Sequence, residues 1–179
     1  MNKKIALVGL PALACVLSMS SCTTVGEHKS SAELYYTNYT KADTQEYEFL
    51  REVYQLANDE INFADVIAKR GANTQVKALA TNLSSEYKGI QTKLAEIGKN
   101  SDVLIPFAGV APLALSEGLD SAQANVLEKA FLEKSIHNQE VIIEHFEQAS
   151  RNTAVEVRHY AEETLPKLEE QLEKTKGLL

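Results

Sequence analysis

The residues of this chain with chemistry to offer are few. Glu156-Val157-Arg158-His159 places a carboxylate and an imidazole three residues apart, on one face of a helix, where both can reach a metal ion. Glu60, on the border of an apolar stripe, is a candidate carboxylate from a second helix. A di-metal centre in a four-helix bundle asks for more. It needs one Glu from each of two helices and a Glu-x-x-His from each of the other two. This chain has a single Glu-x-x-His, and it falls in the first turns of its helix rather than mid-bundle. A glutamate placed like Glu60 more often pairs with a lysine or reaches solvent. Glu60, Glu156 and His159 are therefore weak metal candidates, and no cofactor is expected.

The other reactive side chains lead nowhere specific. His137 and His145 lie eight residues apart, about two helical turns, so they share a side without being adjacent ligands. His28 falls in a polar stretch. No Ser–His–Asp or Cys–His arrangement is suggested, and phosphate-binding glycine motifs are absent. No catalytic residue is expected.

Cys22 is the informative residue, because of what precedes it. Lys3 and Lys4 are followed by thirteen apolar residues, Ile5 to Leu17, a length suited to a signal peptide and short for a membrane span. Small residues then lead to Cys22, which resembles a bacterial lipoprotein signal with Met19 where a leucine is usual. Residues 1–21 are read as that signal and Cys22 as the acylated first residue of the mature chain. Cys15 would be removed, so the mature protein could form no internal disulfide. Removing Lys3 and Lys4, with no acid lost, takes the net charge from −7 to −9. So acidic a chain, without a basic cluster, is not expected to bind nucleic acid or anionic headgroups. The membrane is its partner through the anchor alone. Thr23 after the cysteine, rather than Asp, favours the outer membrane.

Residues 22–42 read as a tether, interrupted by Tyr35, Tyr36 and Tyr39, whose role the sequence leaves open. Residues 43–179 read as one domain. Asp43-x-x-Glu46 is a capping box for a first helix whose stripe is Leu50, Val53, Ala57, Ile61, Ala64 and Ala68, flanked by Tyr54 and Ile67. Gly71 should end it in a left-handed conformation. A second helix from Asn73 or Thr74 buries Val76, Leu79, Leu83, Tyr87, Ile90, Leu94 and Ile97, and Gly98 should stop it. A third opens at Asp120 or Ser121, with Ala124, Leu127, Phe131, Asn138, Ile142, Phe146 and Ala149 inward. Thr153-x-x-Glu156 is a second capping box, for a fourth helix that buries Val157, Tyr160, Ala161, Leu165, Leu168 and Leu172 and is bent at Pro166.

The connector between the second and third helices holds Pro106, Gly109, Pro112 and Gly118, yet is rich in aliphatics. It is long enough to cross the bundle and bury Leu104, Ile105, Phe107 and Leu113. A short turn, a long crossover and a short turn make the second and third helices parallel. The expected fold is all-α: a ferritin-like four-helix bundle.

Glu48-Phe49-Leu50, Asn58-Asp59-Glu60-Ile61 and Ala161 to Leu172 resemble a family of bacterial envelope proteins, domain of unknown function 4142, over residues 46–177. The resemblance implies a ferritin-like bundle, secretion and no established activity. That family typically carries Asp-His late in its second helix, another pair in its third, and a His after the Leu-Pro of its last. Glu86-Tyr87, Asn138-Gln139 and Gln171 stand there instead. The functional expectation is a lipid-anchored envelope protein, facing periplasm or surface, acting as a non-catalytic interaction or structural module for a partner not identified by sequence. The alternatives are a ferritin-like metal-binding or redox protein, and a binder of a hydrophobic ligand.

Overall fold

The computed structural model describes residues 40–105, 118–119, 121–152 and 154–179. Among them are four helices and no strand: α1 (Thr44–Arg70), α2 (Thr74–Asn100), α3 (Ala124–Ala149) and α4 (Val155–Lys176). The signal segment, Cys22, His28, Tyr35, Tyr36 and Tyr39 lie outside the described residues, as do Pro106, Phe107, Gly109, Pro112, Leu113, Asp120 and Thr153.

Ring contacts give the helix directions. Phe49 early in α1 meets Phe146 late in α3, centroids 5.1 Å apart. Phe63 farther along α1 meets Phe131 earlier in α3 at 5.4 Å. So α1 and α3 are antiparallel. The carboxylate of Glu128, in the first turns of α3, accepts the backbone N–H groups of Ala72 (2.6 Å) and Asn73 (2.7 Å) in the α1–α2 turn. At the opposite end, Asn100 of α2 donates to Glu156 of α4 at 3.0 Å. Helix α2 therefore finishes at one end of the bundle and α3 starts at the other, the two running parallel. This is the all-α, four-helix arrangement with a long middle crossover.

The core follows the stripes closely. Every inward position expected for α2 is buried, from Val76 to Ile97. On α1 the stripe is turned slightly: Ile67 is fully buried and Ala68 only half-buried, because the face includes Phe63 and Glu60 as well. Ala124, Tyr160 and Leu165, expected inward, are half-buried, as are Leu104 and Ile105 of the connector.

Four local expectations are corrected. Gly71 does end α1, but at φ −63° and ψ 150° it is extended, not left-handed. Its hydrogen is needed for space: a Cβ there would lie 2.8 Å from the Ile67 carbonyl and 3.0 Å from the Glu128 carboxylate. Gly98 does not stop α2, which runs on to Asn100. The left-handed residue is Asp102, at φ 56°, and Val103 N–H returns to the Gly98 carbonyl at 2.7 Å, with Val103 buried. That is a Schellman close, in which Gly98 clears room for Ile105. Helix α3 starts at Ala124, later than Ser121, after a turn closed by Ala122 N–H on the Leu119 carbonyl at 3.3 Å. The first capping box is one-sided. Asp43 accepts Glu46 N–H at 2.7 Å, but the Glu46 carboxylate turns to the hydroxyl of Ser101 instead. Helix α4 is continuous through Pro166.

Candidate functional site

Among the described residues, two groupings of polar side chains are candidates for a site. The first is a layer inside the bundle. Burial on α1 faces Glu60 inward beside Ala57, Ile61 and Ala64, and α3 meets it with Ser135, Asn138 and Gln139 at helical spacing. The Ser135 hydroxyl donates to one carboxylate oxygen of Glu60, and Asn138 Nδ2 donates to the other at 3.2 Å. Gln139 Nε2 continues the chain to Ser135 Oγ (2.9 Å) and to Thr175 Oγ1 of α4 (3.0 Å). Thr175 donates to the Gln171 carbonyl at 2.9 Å. The layer thus links three helices through neutral donors around one carboxylate.

Its electrostatics follow from its burial. Burial pushes the Glu60 carboxyl above the ordinary carboxylate range, while the hydrogen bonds from Ser135 and Asn138 and the charge of Lys134 pull it back in part. Tyr87 of α2 is as deeply buried, and its hydroxyl has no hydrogen-bond partner among the described residues. Burial drives that phenol well above its ordinary value, and the carboxylates of Glu60 and Glu86 push in the same direction. Such an unpaired buried hydroxyl is costly and is the exception in native interiors.

The second place is a cleft of about 600 Å³ between the first turns of α1 and the last turns of α3. Gln45, Glu48, Arg51 and Glu52 come from α1, and His145, Gln148, Arg151 and Asn152 from α3 and the turn after it. Phe49 and Ala149, both buried, form its apolar part.

The three metal candidates are not brought together. Glu60 sits mid-bundle, whereas Glu156 is exposed at the far end, bonded to Asn100 and 3.5 Å from Lys93. His159 is exposed one turn later. Glu46, level with the start of α4 through Ser101 and Asn100, lies fourteen residues before Glu60, or about 20 Å along the axis. Glu60 itself corrects the expectation of a solvent-reaching edge residue, being 1% exposed. His137 is exposed and His145 half-buried in the cleft wall. Among the described residues no cluster of three or more His, Cys, Asp or Glu could hold a metal ion. No helix of the described residues is long and apolar enough to cross a membrane.

Sequence reasoning missed Ser135, Gln139 and Thr175 as members of the polar layer. Asn138 within an otherwise apolar stripe was the available signal. Of the positions where the resemblance led one to expect histidines, Tyr87, Gln139 and Gln171 are all buried.

Residues 34–178 match the model of a family described as Domain of unknown function (DUF4142). Comparison with curated proteins and with solved structures gave no match.

Proposed function

The chain belongs to the DUF4142 family, and on that premise we propose that it is a lipid-anchored bacterial envelope protein acting as a non-catalytic interaction or structural module. The observation that carries this reading is the company kept by Glu60. Its two carboxylate oxygens take hydrogen bonds from Ser135 and Asn138, and Glu156 and His159 are remote from it. A carboxylate held by neutral donors in a bundle core specifies packing and register more readily than it presents an open coordination position. Anchoring rests on Lys3, Lys4, the Ile5–Leu17 run and Cys22, with the outer membrane favoured by Thr23.

Metal analysis of the full chain purified from its own cells tests the non-catalytic part. The expected result is sub-stoichiometric iron, manganese and zinc, unchanged in Glu60→Gln. Stoichiometric metal that disappears in Glu60→Gln would establish the ferritin-like metal or redox alternative. For the anchor, fatty-acid labelling should vanish in Cys22→Ser and the protein should leave the membrane fraction. Persistent membrane association without labelling of the parent chain overturns it.

A further inference from the structure

The cleft at the end of the bundle has walls of different sign. On the α1 wall, Glu48 and Glu52 are spaced one turn apart, and Arg51 is bound to its neighbour Glu52. Glu48 is left as an exposed carboxylate with no ion pair among the described residues. On the opposite wall stand Arg151, exposed and likewise in no ion pair among the described residues, and the half-buried His145. Glu48 and Arg151, neither in a salt bridge among the described residues, therefore line one cleft from two different elements, with the Glu48 charge also acting on Arg51 of its own wall. The same cleft is lined by Phe49, its ring edge-on against Phe146, and by Gln45 and Gln148.

We propose that this cleft binds a small zwitterion, a free amino acid or short peptide, with its ammonium group at Glu48 and its carboxylate at Arg151. The charge balance selects this class. Two arginines offset two glutamates, so a simple anion entering the cleft meets Glu48 and Glu52, and a simple cation meets Arg151. A ligand carrying both charges makes both attractive contacts and neither repulsive one. Arg151 offers a planar fork suited to a carboxylate, and His145 stands on the same wall as a second donor. A volume of about 600 Å³ is in the range of small-ligand sites. This assignment goes beyond the envelope-module reading and does not rest on the anchor.

The test is a titration of the full chain, in detergent micelles, with alanyl-alanine, followed by backbone amide shifts. The amides of Glu48, His145, Gln148 and Arg151 are expected to move. N-acetylation or C-amidation of the dipeptide should each weaken binding by about tenfold, as should Glu48→Gln and Arg151→Gln, since each removes one charge-assisted contact. The two blocked dipeptides act on the unaltered protein, so folding of a variant does not enter their result. No movement with the free dipeptide overturns the proposal. Binding of both blocked forms as tight as that of the free dipeptide, or the same shifts with a neutral disaccharide, overturns it as well.

Discussion

The hydroxyl of Ser135 on α3 donates to the carboxylate of Glu60 on α1, and each of the two residues is 1% exposed. This bond crosses the α1–α3 interface within a polar layer whose members are all buried, so its partners cannot turn to water if it is broken. Glu60→Ala leaves both Ser135 and Asn138 without their acceptor and opens a void. The expected loss is about 3 kcal/mol, read from the urea midpoint at unchanged slope. Glu60→Gln keeps the volume and one acceptor oxygen, and should cost about 1 kcal/mol. Equal losses in the two variants would mean that Glu60 acts by volume alone.

The same carboxylate makes stability depend on pH in a stated direction. Burial holds the folded Glu60 pKa above its ordinary 4.5. The folded state therefore binds the proton more tightly than the unfolded chain does. The stabilisation linked to it is full below the unfolded pKa and is lost as pH rises through the folded pKa. Asp59 and Glu86, also raised chiefly by burial, act with the same sign. Urea midpoints measured from mildly acidic to neutral pH should fall in the parent relative to Glu60→Gln, and then run parallel once Glu60 is fully ionised. A parent-to-variant difference that is flat over that interval contradicts the assignment.

How much of this was legible depends on how far each signal lies from its cause. The α2 stripe from Val76 to Ile97 could be read position by position, because 3–4 spacing is a local property. The parallel relation of α2 and α3 followed from connection lengths alone. Gly71 and Gly98 were located correctly as special and explained wrongly. Each makes room for a group distant in sequence or beyond the helix end: Glu128 for Gly71, Ile105 for Gly98. Asp102, which does take the left-handed conformation, was not singled out, although aspartate is among the residues that tolerate it. Glu60 looked like an edge residue because its acceptor role is met 75 and 78 residues away. The cleft was invisible for a related reason: its walls are the outer faces of two helices that sequence patterning treats as solvent.

Gly71 and Glu128 together pin the α1–α2 turn to α3. Gly71→Ala is compatible with the backbone at φ −63° but puts a methyl 2.8 Å from the Ile67 carbonyl. Overpacking of this kind should cost about 2 kcal/mol, visible in thermal unfolding. Glu128→Ala removes the acceptor of two backbone N–H groups at 2.6 and 2.7 Å. Hydrogen exchange of Ala72 and Asn73 in the turn should speed up in that variant more than exchange within α1. Unchanged protection at both amides would sever the turn from α3.

Tyr87 offers the sharpest test of the interior, because its effect should run opposite to that of most core substitutions. The side chain is 1% exposed and its hydroxyl is unpaired among the described residues, while the ring packs in the core of α2. Tyr87→Phe deletes the hydroxyl and keeps the ring. It removes a desolvation cost without creating more than an atom-sized void, and should stabilise the fold by about 1 kcal/mol. Relief of the mutual repulsion between a buried phenol and the Glu60 charge acts only at high pH, so the gain should be the same on both sides of neutrality. Paired urea denaturations of parent and variant at two such pH values decide it. A loss of stability in Tyr87→Phe would mean that the hydroxyl does have a partner, an ordered water among them, and that the polar layer extends from α1, α3 and α4 onto α2.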